Sequence, residues 1–144
     1  MNGIKMSDCE FYVDEEKRTV VCVIEDTEYM LLNFIEENFE FSDVSLSNTL
    51  LWSSLRNKLR MPKRFIGKAV CAPEDKWNEE LGRKLAFSRA KGKCYRSFFK
   101  RANMFIHTLD RRINQAMTAF NDFGEKLEAN RVALEEQINM ELPQ

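Results

Sequence analysis

Ten cations lie between Arg83 and Arg112 against a single acid, Asp110. They are Arg83, Lys84, Arg89, Lys91, Lys93, Arg96, Lys100, Arg101, Arg111 and Arg112, and Phe87, Tyr95, Phe98, Phe99 and Phe105 are interleaved with them. A guanidinium presents a planar fork of N–H donors that fits phosphate oxygens, and a flat ring stacks on a nucleobase. Arg83, Arg89, Lys93, Arg96 and Arg101 are therefore the candidate phosphate ligands, with Phe87 or Tyr95 as the stacking platform. A second use competes for the same cations, namely pairing with acidic parts of the chain, within or between subunits. Phe98 and Phe105 fall on an apolar stripe and are expected in the core.

Other chemistry is poorly provided for. The lone histidine, His107, has Asn103 and Arg111 one helical turn away on either side, and neither is a usual acid, nucleophile or metal ligand. Cys9, Cys22, Cys71 and Cys94 form no C-x-x-C pair and no metal-ligand spacing. Gly67-Lys68-Ala69 lacks the long glycine loop that precedes the lysine of a P-loop, and no G-x-S-x-G elbow occurs. The adjacent pairs Glu79/Glu80 and Glu135/Glu136 point in different directions on a helix. The sequence predicts a protein that is not an enzyme and holds no metal or cofactor.

The net charge of −1 over 144 residues conceals a partition. Residues 8–43 hold twelve acids and two bases, 44–73 six bases and no acid, and 113–144 six acids and two bases. A basic block of this kind steers an anionic partner even when the total is near zero. The acidic blocks disfavour a long duplex across the whole surface, since they repel phosphate. With 44% hydrophobic and 31% charged residues, the chain is long enough for one domain with its own core. Met1 to Asp8 is polar, unlike a signal peptide, and no stretch approaches the ~20 apolar residues of a membrane span. The expectation is a cytoplasmic protein with no membrane partner and four reduced thiols.

These candidate residues need elements to hold them. The β-branched run Val20 to Ile24, with Phe11-Tyr12-Val13 before a charged turn, predicts a hairpin with strands at 11–13 and 18–25. Asp26-Thr27 is a good N-cap for a helix over 27–38. A second helix is expected over 47–59, stopped by Met61-Pro62. Residues 64–71 read as a third strand, Pro73-Glu74-Asp75 as a turn, and Asp75 or Asn78 as the cap of the last helix. From Asn78 to about Met140 a helical pattern runs without proline, and between Ile113 and Leu127 its apolar spacing alternates three and four, as in a coiled-coil seam. A continuous helix of that span would be ~95 Å long at ~1.5 Å per residue, against a diameter of ~40 Å for a compact domain of this size. A fold-back near Gly124, acting as a C′ residue, is the favoured solution, and a helix projecting to another chain is the alternative. The fold class is α+β: a three-stranded antiparallel sheet packed by helices, with a long C-terminal helix or helical hairpin. Residues 1–77 form the sheet-and-helix region and 78–144 the helical region of one domain, expected to self-associate.

The stretch Gly67-Lys68-Ala69-Val70-Cys71-Ala72-Pro73-Glu74-Asp75-Lys76-Trp77-Asn78, then Leu81-Gly82-Arg83-Lys84-Leu85-Ala86 and Arg89-Ala90, resembles a pattern in small uncharacterised phage and prophage proteins of low-GC Gram-positive bacteria. The resemblance covers residues 65–101. In it Gly67 permits a close backbone approach or a bulge, and Gly82 and Ala86 let the helix press on a strand. The layout of a small sheet with long helices also resembles oligomeric Thoeris anti-defence sponges, which capture cyclic nucleotide-type signals between subunits. These resemblances imply a homo-oligomeric sponge that sequesters a cyclic nucleotide or ADP-ribose-type signal in the cytoplasm of a bacterial host. Two alternatives stand beside it: an anti-CRISPR-like inhibitor of a host defence protein, its acidic face mimicking nucleic acid, and a small nucleic-acid-binding module.

Overall fold

A computed structural model describes residues 3–38 and 57–142. The hairpin forms as its sequence predicts. Strand β1 (Glu10–Asp14) pairs antiparallel with β2 (Thr19–Ile24), placing Phe11 beside Cys22 and Val13 beside Val20. Asp14 Oδ1 accepts the Lys17 amide at 3.0 Å and closes the charged turn. Strand β3 (Phe65–Val70) pairs antiparallel with the other side of β2, giving the order β1-β2-β3. The fold is therefore α+β, and each strand lies within a residue or two of its expected bounds.

Helix α1 (Met30–Asn38) starts three residues later than predicted. Thr27 does not cap it. The Thr27 hydroxyl donates instead to the Pro62 carbonyl at 2.6 Å, and the Thr27 amide donates to Lys63 O at 3.2 Å. Thr27 is buried, and the approach to α1 is tied to the segment before β3 rather than to the helix's own first turn. Leu31, Leu32 and Ile35 form the buried face of α1. Phe34 meets Phe98 edge-to-face at 5.2 Å. Most of the helix expected over 47–59 lies outside the described residues, and Asn57 to Leu59 form a turn.

Helix α2 spans Glu79–Glu141. Asn78 is its cap, accepting the Leu81 amide on Oδ1 at 3.1 Å. Asp75 instead closes the turn before it, its amide donating to Ala72 O at 3.0 Å. The helix passes through Gly124 unbroken, and no glycine has positive φ. The expected fold-back is thus corrected: Glu125, Lys126 and Leu127 after Gly124 are good helix formers, and one glycine costs only about 1 kcal/mol. The chain comprises two units, Met1–Asn103 and Met104–Gln144. In the second, residues 110–142 are all exposed.

In the first unit the sheet's core face carries Val20, Cys22, Ile24 and Ala69, packed on Ala86 and Ala90 of α2. Gly67 allows the closest approach, and it does so without a bulge, since the β2–β3 register continues through it. A methyl group built on Gly67 would overlap the Ala86 carbonyl oxygen and the Ala90 amide, and would lie 3.0 Å from Ala90 Cα. One on Gly82 would stand 2.8 Å from Val20 Cγ2. A further tie was not legible in the sequence. Arg18, with φ 51°, sends Nη2 to Cys71 Sγ at 3.0 Å, to Ala72 O at 3.1 Å and to Asp75 O. The end of the hairpin thereby holds the turn between β3 and α2.

Two glycine substitutions separate these roles. Gly67→Ala should cost about 1–3 kcal/mol or more, because backbone rather than a flexible side chain must move. Gly124→Ala, which meets nothing within 4 Å, should leave stability unchanged or raise it by about 1 kcal/mol through helix propensity. Urea unfolding of both variants measures the contrast.

Candidate anion-binding recess

Strand β3 lies at the edge of the sheet, so part of its backbone has no neighbouring strand to bond. Helix α2 supplies the partners. Arg89 Nη1 donates to Lys68 O at 2.6 Å, and Lys93 Nζ donates to Ile66 O at 2.8 Å. Residues 89, 93 and 96 recur at i, i+4 and i+7, which is one face of a helix. Beside the β3 edge that face forms an open recess of about 420 Å³, lined by Lys68, Ser88, Arg89, Gly92, Lys93 and Arg96.

Four of the six lining residues are cations and none is an acid. Gly92 keeps the floor low: a methyl group there would come 3.2 Å from Arg96 Nη1. Arg89 and Lys93 each spend one donor on β3 and retain others. Among the described residues the side chains of Lys68 and Arg96 have no hydrogen-bond or ion-pair partner. Four like charges around one opening repel one another, and a bound anion relieves that repulsion while accepting charge-assisted hydrogen bonds. The Ser88 hydroxyl adds a neutral donor.

The other predicted site residues lie elsewhere. Arg83 pairs with Glu79 at 3.2 Å and rests over the Phe11 ring at 5.1 Å. Arg101 Nε donates to Ser97 Oγ at 3.3 Å. Phe87 and Tyr95 sit on a different flank of α2, where Lys91 Nζ lies 5.4 Å and 5.5 Å from their ring centres. The Tyr95 hydroxyl accepts the Ile4 amide at 3.4 Å. Residue 91 is two positions from 89, about 200° around the helix. The structure thus brings together Arg89, Lys93 and Arg96 and separates them from Arg83, Arg101 and both aromatics.

Acid–base pairing accounts for other cations. Arg60 pairs with Glu28 at 3.5 Å, Arg64 with Glu25 at 3.7 Å and Lys84 with Glu80 at 3.3 Å. Lys68, Ser88 and Gly92 were not singled out from the sequence as ligands. The 89/93/96 spacing was readable there, but Lys68 is 21 positions before Arg89 and joins it only through the packing of β3 on α2.

Among the described residues no three His, Cys, Asp or Glu side chains gather to hold a metal, and no helix is long and apolar enough to cross a membrane. All four cysteines are free thiols. Burial pushes Cys22 up to about 12 and Cys94 up to about 11. A thiol reacts through its thiolate, so both are held inert in the native state. Comparison with protein-family models, with curated proteins and with solved structures finds no match for this chain.

Iodoacetamide at pH 8 should therefore leave Cys22 and Cys94 unmodified in the folded protein and label them once urea unfolds it. Peptide mass mapping reads the difference, and rapid native labelling of either residue would contradict the packing described.

Proposed function

We propose that this chain is a non-catalytic accessory protein of phage type that sequesters a small phosphate-bearing ligand, a nucleotide-derived immune signal such as a cyclic nucleotide or ADP-ribose derivative, in the cytoplasm of a bacterial host. One observation carries the reading: the recess at the β3 edge gathers Lys68, Arg89, Lys93 and Arg96 with Ser88 and no acid. Its size suits a phosphate or pyrophosphate group, and the open side leaves room for the rest of the ligand. Recognition is of phosphate rather than base, since Phe87 and Tyr95 lie on another flank of α2. The resemblance of residues 65–101 to phage proteins supports the same context.

A second reading, direct inhibition of a host defence protein, draws on the acidic block. Glu36 and Glu37 are exposed on α1 and make no ion pair among the described residues.

Isothermal calorimetry at low salt against pyrophosphate, cyclic dinucleotides and ADP-ribose tests the first reading. At least one should bind, with affinity falling as salt rises. Arg96→Ala and Lys68→Ala, which break no internal bond, should each weaken binding about tenfold or more, the scale of a lost charged hydrogen bond. Arg101→Ala and Tyr95→Ala should leave it unchanged. Silence across the panel, or binding indifferent to Arg96→Ala, would overturn the reading. Capture of a defence protein that is lost in Glu36→Gln/Glu37→Gln would favour the second.

A further inference from the structure

The part of α2 in the second unit exposes an apolar seam that nothing in its own unit covers. Ile106, Ile113, Phe120, Leu127 and Leu134 recur every seven residues, and Leu109, Ala116 and Phe123 form a second row three positions on. Phe120, Phe123 and Leu127 are 74%, 72% and 69% exposed. Two rows at this offset are the a and d positions of a coiled coil, whose under-wound seam faces a matching seam. Helices lacking such a partner rarely leave large apolar side chains in water turn after turn.

We propose that the occupant is the same seam of a second copy, running antiparallel. The charges decide the direction. Beside the seam Asp110 and Arg131 occupy e positions and Lys126 a g position, and Arg131 also reaches Glu128 at 2.6 Å and Glu135 at 2.5 Å within its own chain. Parallel copies would set Lys126 beside Arg131 of the second copy at flanking g and e positions, like charge against like. Antiparallel copies set Phe120 against Phe123 at the centre. The same register places Leu127 on Ala116 and Leu134 on Leu109, large against small or large against large in every apolar layer. It also faces Asp110 with Arg131 of the second copy at paired e positions. Asn130 falls opposite Ile113 and Gln137 opposite Ile106, so the fully apolar layers are the three named. The inference uses only residues 106–138 and does not depend on what the recess binds.

Light scattering of the full chain should give twice 17.0 kDa. Phe120→Glu/Phe123→Glu should give a monomer with its helical circular dichroism largely retained. Neither side chain is buried within its own unit. Direction is read by spin labels at Asn139→Cys in a Cys9→Ser/Cys71→Ser background. Antiparallel copies separate residue 139 of each chain by about 35 helical positions, roughly 50 Å at ~1.5 Å per residue. A monomer at 50–100 µM (roughly the range where weak coiled coils pair), a higher oligomer, or a dimer untouched by the double Glu variant would overturn the proposal. An intercopy distance below about 25 Å would overturn the antiparallel assignment.

Discussion

The first unit depends on how closely α2 lies on β3. Gly67 has no side chain, and Ala86 and Ala90 have only methyl groups, so backbone meets backbone at that crossing. Dispersion and apolar burial fall steeply with separation, and a helix lifted by one methyl group would release Val20, Cys22 and Ala69 together. The same closeness sets the reach of the side chains that flank the crossing. Arg89 and Lys93 touch β3 carbonyls only because the helix axis is drawn in at Gly67.

Edge protection and the candidate recess are consequently one device. An exposed strand edge invites pairing with another chain. Two cations from α2 blunt it, and in doing so they are aligned with Arg96 and share one recess with Lys68. The cations are pre-positioned by a structural task, which lowers the ordering cost of gripping an anion. Arg18 performs a similar service at the other end of β3: its guanidinium gathers Cys71, Ala72 and Asp75 and sets the angle at which the chain enters α2.

Much of this was readable before the fold. The β-branched run from Val20 to Ile24 and the strand pattern over 64–71 announced a sheet, and Pro73-Glu74-Asp75 announced the turn, with the cap open between Asp75 and Asn78 until the structure placed it at Asn78. Thr27 misled because a hydroxyl that suits an N-cap also suits a distant carbonyl, and Pro62 O is the partner it finds. Gly124 misled because a glycine signals a helix end only when the backbone turns to positive φ there. The aromatic platform misled because nearness in number is not nearness in azimuth: at about 100° per residue, Phe87 and Tyr95 are close to Arg89 along the chain and far from it around the helix.

Local pattern by itself determined the elements, the basic block, the 89/93/96 face and the heptad rows of the second unit, since each is a matter of period along one segment. Only the tertiary structure decided which cations share a site. Lys68 and Arg89 are separated by a strand end, a turn and the first turns of α2, and no periodicity links them. Their meeting rests on the missing side chain at Gly67, whose consequence is spatial and is felt on another element.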